Sequence, residues 1–95
     1  MIENLPNSVE EIIFDRFFNL ELQNLPNSIK KISFNNYSEY DKELNCLPEF
    51  VEYLELGIKY DKKIKKIPLN LKTIKCNEQY KYIDDFKGKY NVITY

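Results

Sequence analysis

The chain has no histidine, no tryptophan and no alanine, and it holds one arginine, two glycines and two cysteines in 95 residues. The missing histidine removes the commonest general base and the commonest metal ligand, so neither metal nor cofactor is expected. Gly57 and Gly88 stand alone, which excludes a glycine-rich phosphate loop. Cys46 and Cys76 are too few to staple a secreted scaffold, and Met1-Ile2-Glu3-Asn4 lacks the basic start of a signal peptide; a reducing, cytoplasmic location is expected. No apolar run approaches the roughly 20 residues that cross a bilayer, so no membrane association is expected. A net charge of -1 at pH 7 sets up no overall field for nucleic acid.

What is present is a globular balance, 43% hydrophobic and 31% charged, in a length that supports one core. Within it a repeat is plain. Leu5-Pro6, Leu25-Pro26, Leu47-Pro48 and Ile67-Pro68 recur at spacings of 20, 22 and 20 residues. Apolar residues keep the same phase around each dipeptide. Ile2, Leu22, Leu44 and Ile64 precede it; Val9, Ile29, Val51 and Leu71 follow, and then come Ile12/Phe14, Ile32/Phe34, Leu54/Leu56 and Ile74/Cys76. A fifth copy without proline keeps the frame as Ile83, Phe86, Tyr90, Ile93 and Tyr95. The closing period-2 alternation is that of a short strand, and the proline half suits an extended return. Too short to bury its own apolar positions, each unit must stack on the next. The expected fold is mainly β: a parallel β solenoid of about five coils, little or no regular helix, forming one domain over 1–95 with coils near 2–21, 22–43, 44–63, 64–82 and 83–95.

These residues carry a resemblance. The phrase from Leu22 to Phe34 is similar to a short, Leu-Pro-containing leucine-rich repeat. More closely, Phe14, Phe18-Asn19 and then Leu25-Pro26-Asn27-Ser28-Ile29 resemble the FNIP repeat of social amoebae and giant amoeba-infecting viruses. The resemblance implies a curved parallel solenoid used for protein binding, with no catalytic residues to transfer, inside a cell and, for a viral chain, inside an infected host. Later copies replace Asn-Ser by Glu49-Phe50 and Leu69-Asn70.

The side chains between the inward positions are expected on a concave sheet face that binds a protein partner: Glu11, Ile13 and Asp15; Lys31, Ser33 and Asn35; Tyr53, Glu55 and Gly57; Thr73, Lys75 and Asn77; Val92 and Thr94. Tyr53 is the anchor candidate. A ladder of Phe18-Asn19, Tyr40-Asp41, Tyr60-Asp61 and Tyr80-Lys81 reads as structural stacking in the bends. The five lysines between Lys59 and Lys66 read as a solvated turn, and a single arginine leaves little for base reading, so no nucleic-acid partner is expected. Glu10-Glu11 and Asp84-Asp85 would point to opposite faces of a strand, and no nucleophile–base pair is visible; the function read here is non-enzymatic.

Two alternatives remain open. The stretch Leu5–Phe14 also resembles the opening of an F-box, which would make the chain a ubiquitin-ligase adaptor; the same pattern recurs at Leu25–Phe34, and F-boxes are helical. The terminal strands would carry unpaired edges, through which copies could pair as a homo-oligomer or structural array. Residues 1–50 hold four basic and nine acidic side chains and residues 51–95 ten and six, a polarity that would align copies head to tail.

Overall fold

The computed structural model describes residues 5–95; Ile2, the first position of the repeat template, lies outside them. Five strands, β1 (Glu11–Phe14), β2 (Lys31–Phe34), β3 (Tyr53–Glu55), β4 (Thr73–Cys76) and β5 (Asn91–Thr94), form one parallel sheet in chain order. This is the solenoid that the repeat predicts. Ile12, Ile32, Leu54 and Ile74 lie on successive rungs of one register. The last three are wholly buried, as are Ile29 and Val51 from the residues before each strand. Residues 5–40 hold two strands and turns but no helix, which leaves the helical requirement of the F-box reading unmet. The one helical turn among the described residues is a 3-10 segment, Ile83–Asp85. No helix among them is long and apolar enough to cross a membrane.

Each of the first four coils is bent twice. Before the strand, proline opens a β-turn, with the N–H of Val9, Ile29, Val51 and Leu71 donating to the C=O of Pro6, Pro26, Pro48 and Pro68 at 3.1–3.3 Å. The proline half is therefore a tight turn rather than only an extended return. After the strand a second turn closes from Asp15, Asn35, Gly57 or Asn77 to the residue three further on. The 22-residue spacing has its cause here. Two extra residues enter coil 2 between Asn35 and Tyr40, and Ser38, buried among them, accepts the Tyr40 N–H on its Oγ at 3.1 Å. A Cβ on Gly57 in the next coil would stand 2.8 Å from Ser38 Cβ and 3.0 Å from the Asn35 oxygen, so the insertion is accommodated by a glycine above it.

The last coil departs from the predicted frame by one residue. Val92 pairs with Ile74, and Ile93 pairs with Lys75. Val92 and Thr94 thus continue the inward rows, and Ile93 lies on the outer sheet face, the reverse of the sequence expectation. The cause is the turn. Phe86 takes the place of proline, with the Lys89 N–H donating to its C=O at 3.2 Å and Gly88 between them at φ 84°. With Val92 and Ile93 both apolar, alternation alone does not choose between the two registers, and a slip of one exchanges the faces.

Candidate binding surface

On the outward face the register aligns two rows across the sheet: Glu11, Lys31, Tyr53, Thr73, Asn91, and Ile13, Ser33, Glu55, Lys75, Ile93. Eight of the predicted surface residues are therefore brought together. They form a network with Tyr53 at its centre. The Lys31 ammonium lies 4.7 Å from the Tyr53 ring centroid and 3.5 Å from Glu11, and the Tyr53 hydroxyl donates to Glu55 Oε1 at 3.0 Å. Burial, and then Glu55, push the Tyr53 phenol up to about 12, so it stays a neutral donor. At the far edge Lys75 stands 6.0 Å from the Tyr95 ring, whose hydroxyl reaches back to the Leu56 carbonyl at 2.5 Å.

Asp15, Asn35 and Asn77 sit just past the strands and have a local task. Asp15 Oδ1 accepts the N–H of Phe17 and Phe18 at 3.0 and 2.9 Å; Asn35 and Asn77 accept those of Tyr37 and Gln79, each at 2.8 Å. These are Asx turns, with the side-chain oxygen standing in for a backbone carbonyl. Asn77 Nδ2 also donates to the Tyr95 carbonyl at 3.2 Å, tying the second turn of coil 4 to the chain's last residue.

A shallow depression of about 430 Å³ opens over the C-terminal ends of β1–β3, with buried Ser33 among its lining residues and Ile13, Lys31, Asn35, Tyr37 and Glu55 around it. Ile13 is 70% exposed and Tyr37 68%, and Phe17, one coil before Tyr37 in the same kind of turn, is 73% exposed. Sequence reasoning missed Phe17 and Tyr37. A signal for them exists: both are aromatic at positions where the repeat frame asks for nothing apolar.

Behind the sheet the predicted aromatic ladder stacks as Phe18, Tyr40, Tyr60 and Tyr80, with centroids 5.8, 6.2 and 6.2 Å apart. Tyr60 and Tyr80 donate to the carbonyls of Lys42 and Lys62 at 2.9 and 2.6 Å, and burial pushes both phenols up. The ladder holds coil to coil. Cys76 is buried in the core with its thiol pushed up by burial, while Cys46 is exposed. No group of three potential metal ligands occurs among the described residues.

No curated protein and no solved structure matches the chain. The strand with its two turns repeats along the whole described length, and its first copies carry the Phe, Asn and Leu-Pro pattern in its fullest form. Residues 2–37 match the FNIP Repeat family, and over that stretch the chain is similar to an FNIP repeat.

Proposed function

We propose that the chain is a non-enzymatic interaction module whose outer sheet face docks a protein partner, with Tyr53 as the anchor. The observation that carries this reading is the Tyr53 network: a partly desolvated phenol, held between an ammonium and a carboxylate, stands beside a depression rimmed by the off-frame apolar residues Ile13 and Tyr37. Aromatic residues fixed in this way give contact area at low entropy cost, and the surrounding charges set orientation. Glu11, Lys31, Ser33, Glu55, Thr73 and Lys75 supply the rest of the face. Asp15, Asn35 and Asn77 shape its lower border through their turns.

An affinity pull-down tests it. Proteins captured by the wild-type chain should be lost with Tyr53→Ala and with Lys75→Glu, and retained with Lys66→Glu, which lies in a turn away from the sheet. Capture that survives both face substitutions would remove the reading.

A further inference from the structure

Among the described residues, the outer strands β1 and β5 each pair with a strand on one side only. In β1 the carbonyls of Glu10 and Phe14 accept the N–H of Lys31 and Asn35 from the β2 side, so by strand alternation the backbone groups of Glu11 and Ile13 face outward from the edge. In β5 the N–H of Asn91 and Tyr95 donate to the carbonyls of Lys72 and Cys76, which leaves those of Val92 and Thr94 on the opposite edge. Both strands are four residues long and run parallel. Extending the existing rows by one strand sets Asn91 beside Glu11 of a second copy, Val92 beside its Ile12 and Ile93 beside its Ile13. In that register the unused donors of each edge meet unused acceptors of the other.

Two further observations favour this pairing over others. First, the side chains match by row. Half-buried Val92 would continue the column at Ile12, itself half-buried with a described strand on one side only, and Ile93, 41% exposed, would cover Ile13. Second, charge selects the polarity. The first 50 residues carry four basic and nine acidic side chains, the remainder ten and six, so like ends repel and unlike ends attract.

We propose that the chain associates head to tail with copies of itself, β1 of one copy adding as a parallel strand to β5 of another. Such a contact is heterologous, so it does not close at a dimer and grows as a chain of copies. It uses the strand edges and needs no partner on the sheet face, so it stands or falls apart from the docking reading.

Sedimentation of the purified full chain over a range of concentrations is the test, with circular dichroism to confirm folding of each variant. The average mass should climb past that of a dimer as concentration rises. Ile13→Lys, on an exposed side chain of β1, and Val92→Pro, which removes an N–H that β4 does not use, should each abolish growth. Ile93→Lys, also on an exposed side chain, replaces Val92→Pro should the proline unfold β5. Mixed in equal amounts, a β1-blocked and a β5-blocked variant should form a one-to-one dimer, because each retains one good end. A strict monomer at high micromolar concentration, a mass that stops at the dimer, or a mixture that stays monomeric would overturn the proposal.

Discussion

Ile12 and Ile32 are the same residue at the same register position of adjacent strands, yet Ile12 is half-buried and Ile32 has no exposed surface. The same contrast holds through their coils. Leu5 and Val9 are half-buried where Leu25 and Ile29 are buried. Both coils share Leu-Pro-Asn-Ser and, four residues later, Ile-x-Phe; the difference in place is that coil 2 has a coil on each side and coil 1 has described residues on one side only. Burial in this molecule is a property of the interface between coils, as expected for a quasi-one-dimensional array.

The comparison is broken or confirmed most forcefully by truncating the column. Ile32→Ala and Ile74→Ala each remove a fully buried side chain and should cost about 3–5 kcal/mol, within the range for large-to-small core changes. Ile12→Ala should cost roughly half as much, because part of that side chain already meets water. Urea unfolding monitored by circular dichroism gives the values, and equal costs at Ile12 and Ile32 would show that the end coil is covered after all. In a domain of this size the larger loss takes away much of the total stability.

The column was legible in the sequence because the first four coils repeat it in one phase. The sheet face followed from it directly: once Ile32 and Phe34 point in, Lys31 and Ser33 point out. Two things were hidden. In the last coil the adjacent apolar pair Val92-Ile93 satisfies either register, and only the turn at Phe86–Lys89, marked by Gly88, decides it. At Asp15, Asn35 and Asn77 the same residue type serves equally well for a binding surface or an Asx turn, and the turn's N–H groups settle what the oxygen does in the isolated chain. The extra two residues of coil 2 are visible as a spacing of 22 against 20, but their position between Asn35 and Tyr40 is fixed by packing against Gly57.

That junction sharpens the comparison at a smaller scale. Gly57 and Asn77 hold the same place in successive coils, and only Gly57 lies over an insertion. Gly57→Ala drives a Cβ to within 2.8 Å of Ser38 Cβ and 3.0 Å of a backbone oxygen, and should cost about 1–3 kcal/mol as overpacking. Adding Ser38→Gly should recover part of that loss. Recovery is incomplete because the Asn35 oxygen stays in place and the hydrogen bond from the Tyr40 N–H to Ser38 Oγ is lost. The double variant is therefore less destabilised than the two single losses combined. Strict additivity in urea melts would mean that Ser38 is not what Gly57 makes room for.

The smallest effect separates two neighbouring rungs of the aromatic ladder. Tyr60 donates its hydroxyl to the Lys42 carbonyl, two residues before Leu44, and Tyr80 does the same to Lys62, two residues before Ile64. The corresponding acceptor for Tyr40 is the carbonyl of Leu20, and that bond does not form; its buried hydroxyl has no hydrogen-bond partner among the described residues. Phenylalanine preserves the ring and its stacking in both places. Tyr60→Phe strips a partner from a carbonyl and should cost about 1 kcal/mol, the usual net value of such a bond. Tyr40→Phe removes a polar group that is buried without a partner, so it should be neutral or slightly stabilising. Urea midpoints of the two variants, measured side by side, should fall on opposite sides of, or one at and one below, the wild-type value. A loss at Tyr40 as large as that at Tyr60 would mean that the hydroxyl has found an acceptor in solution, and that the extra residues of coil 2 leave the ladder undisturbed.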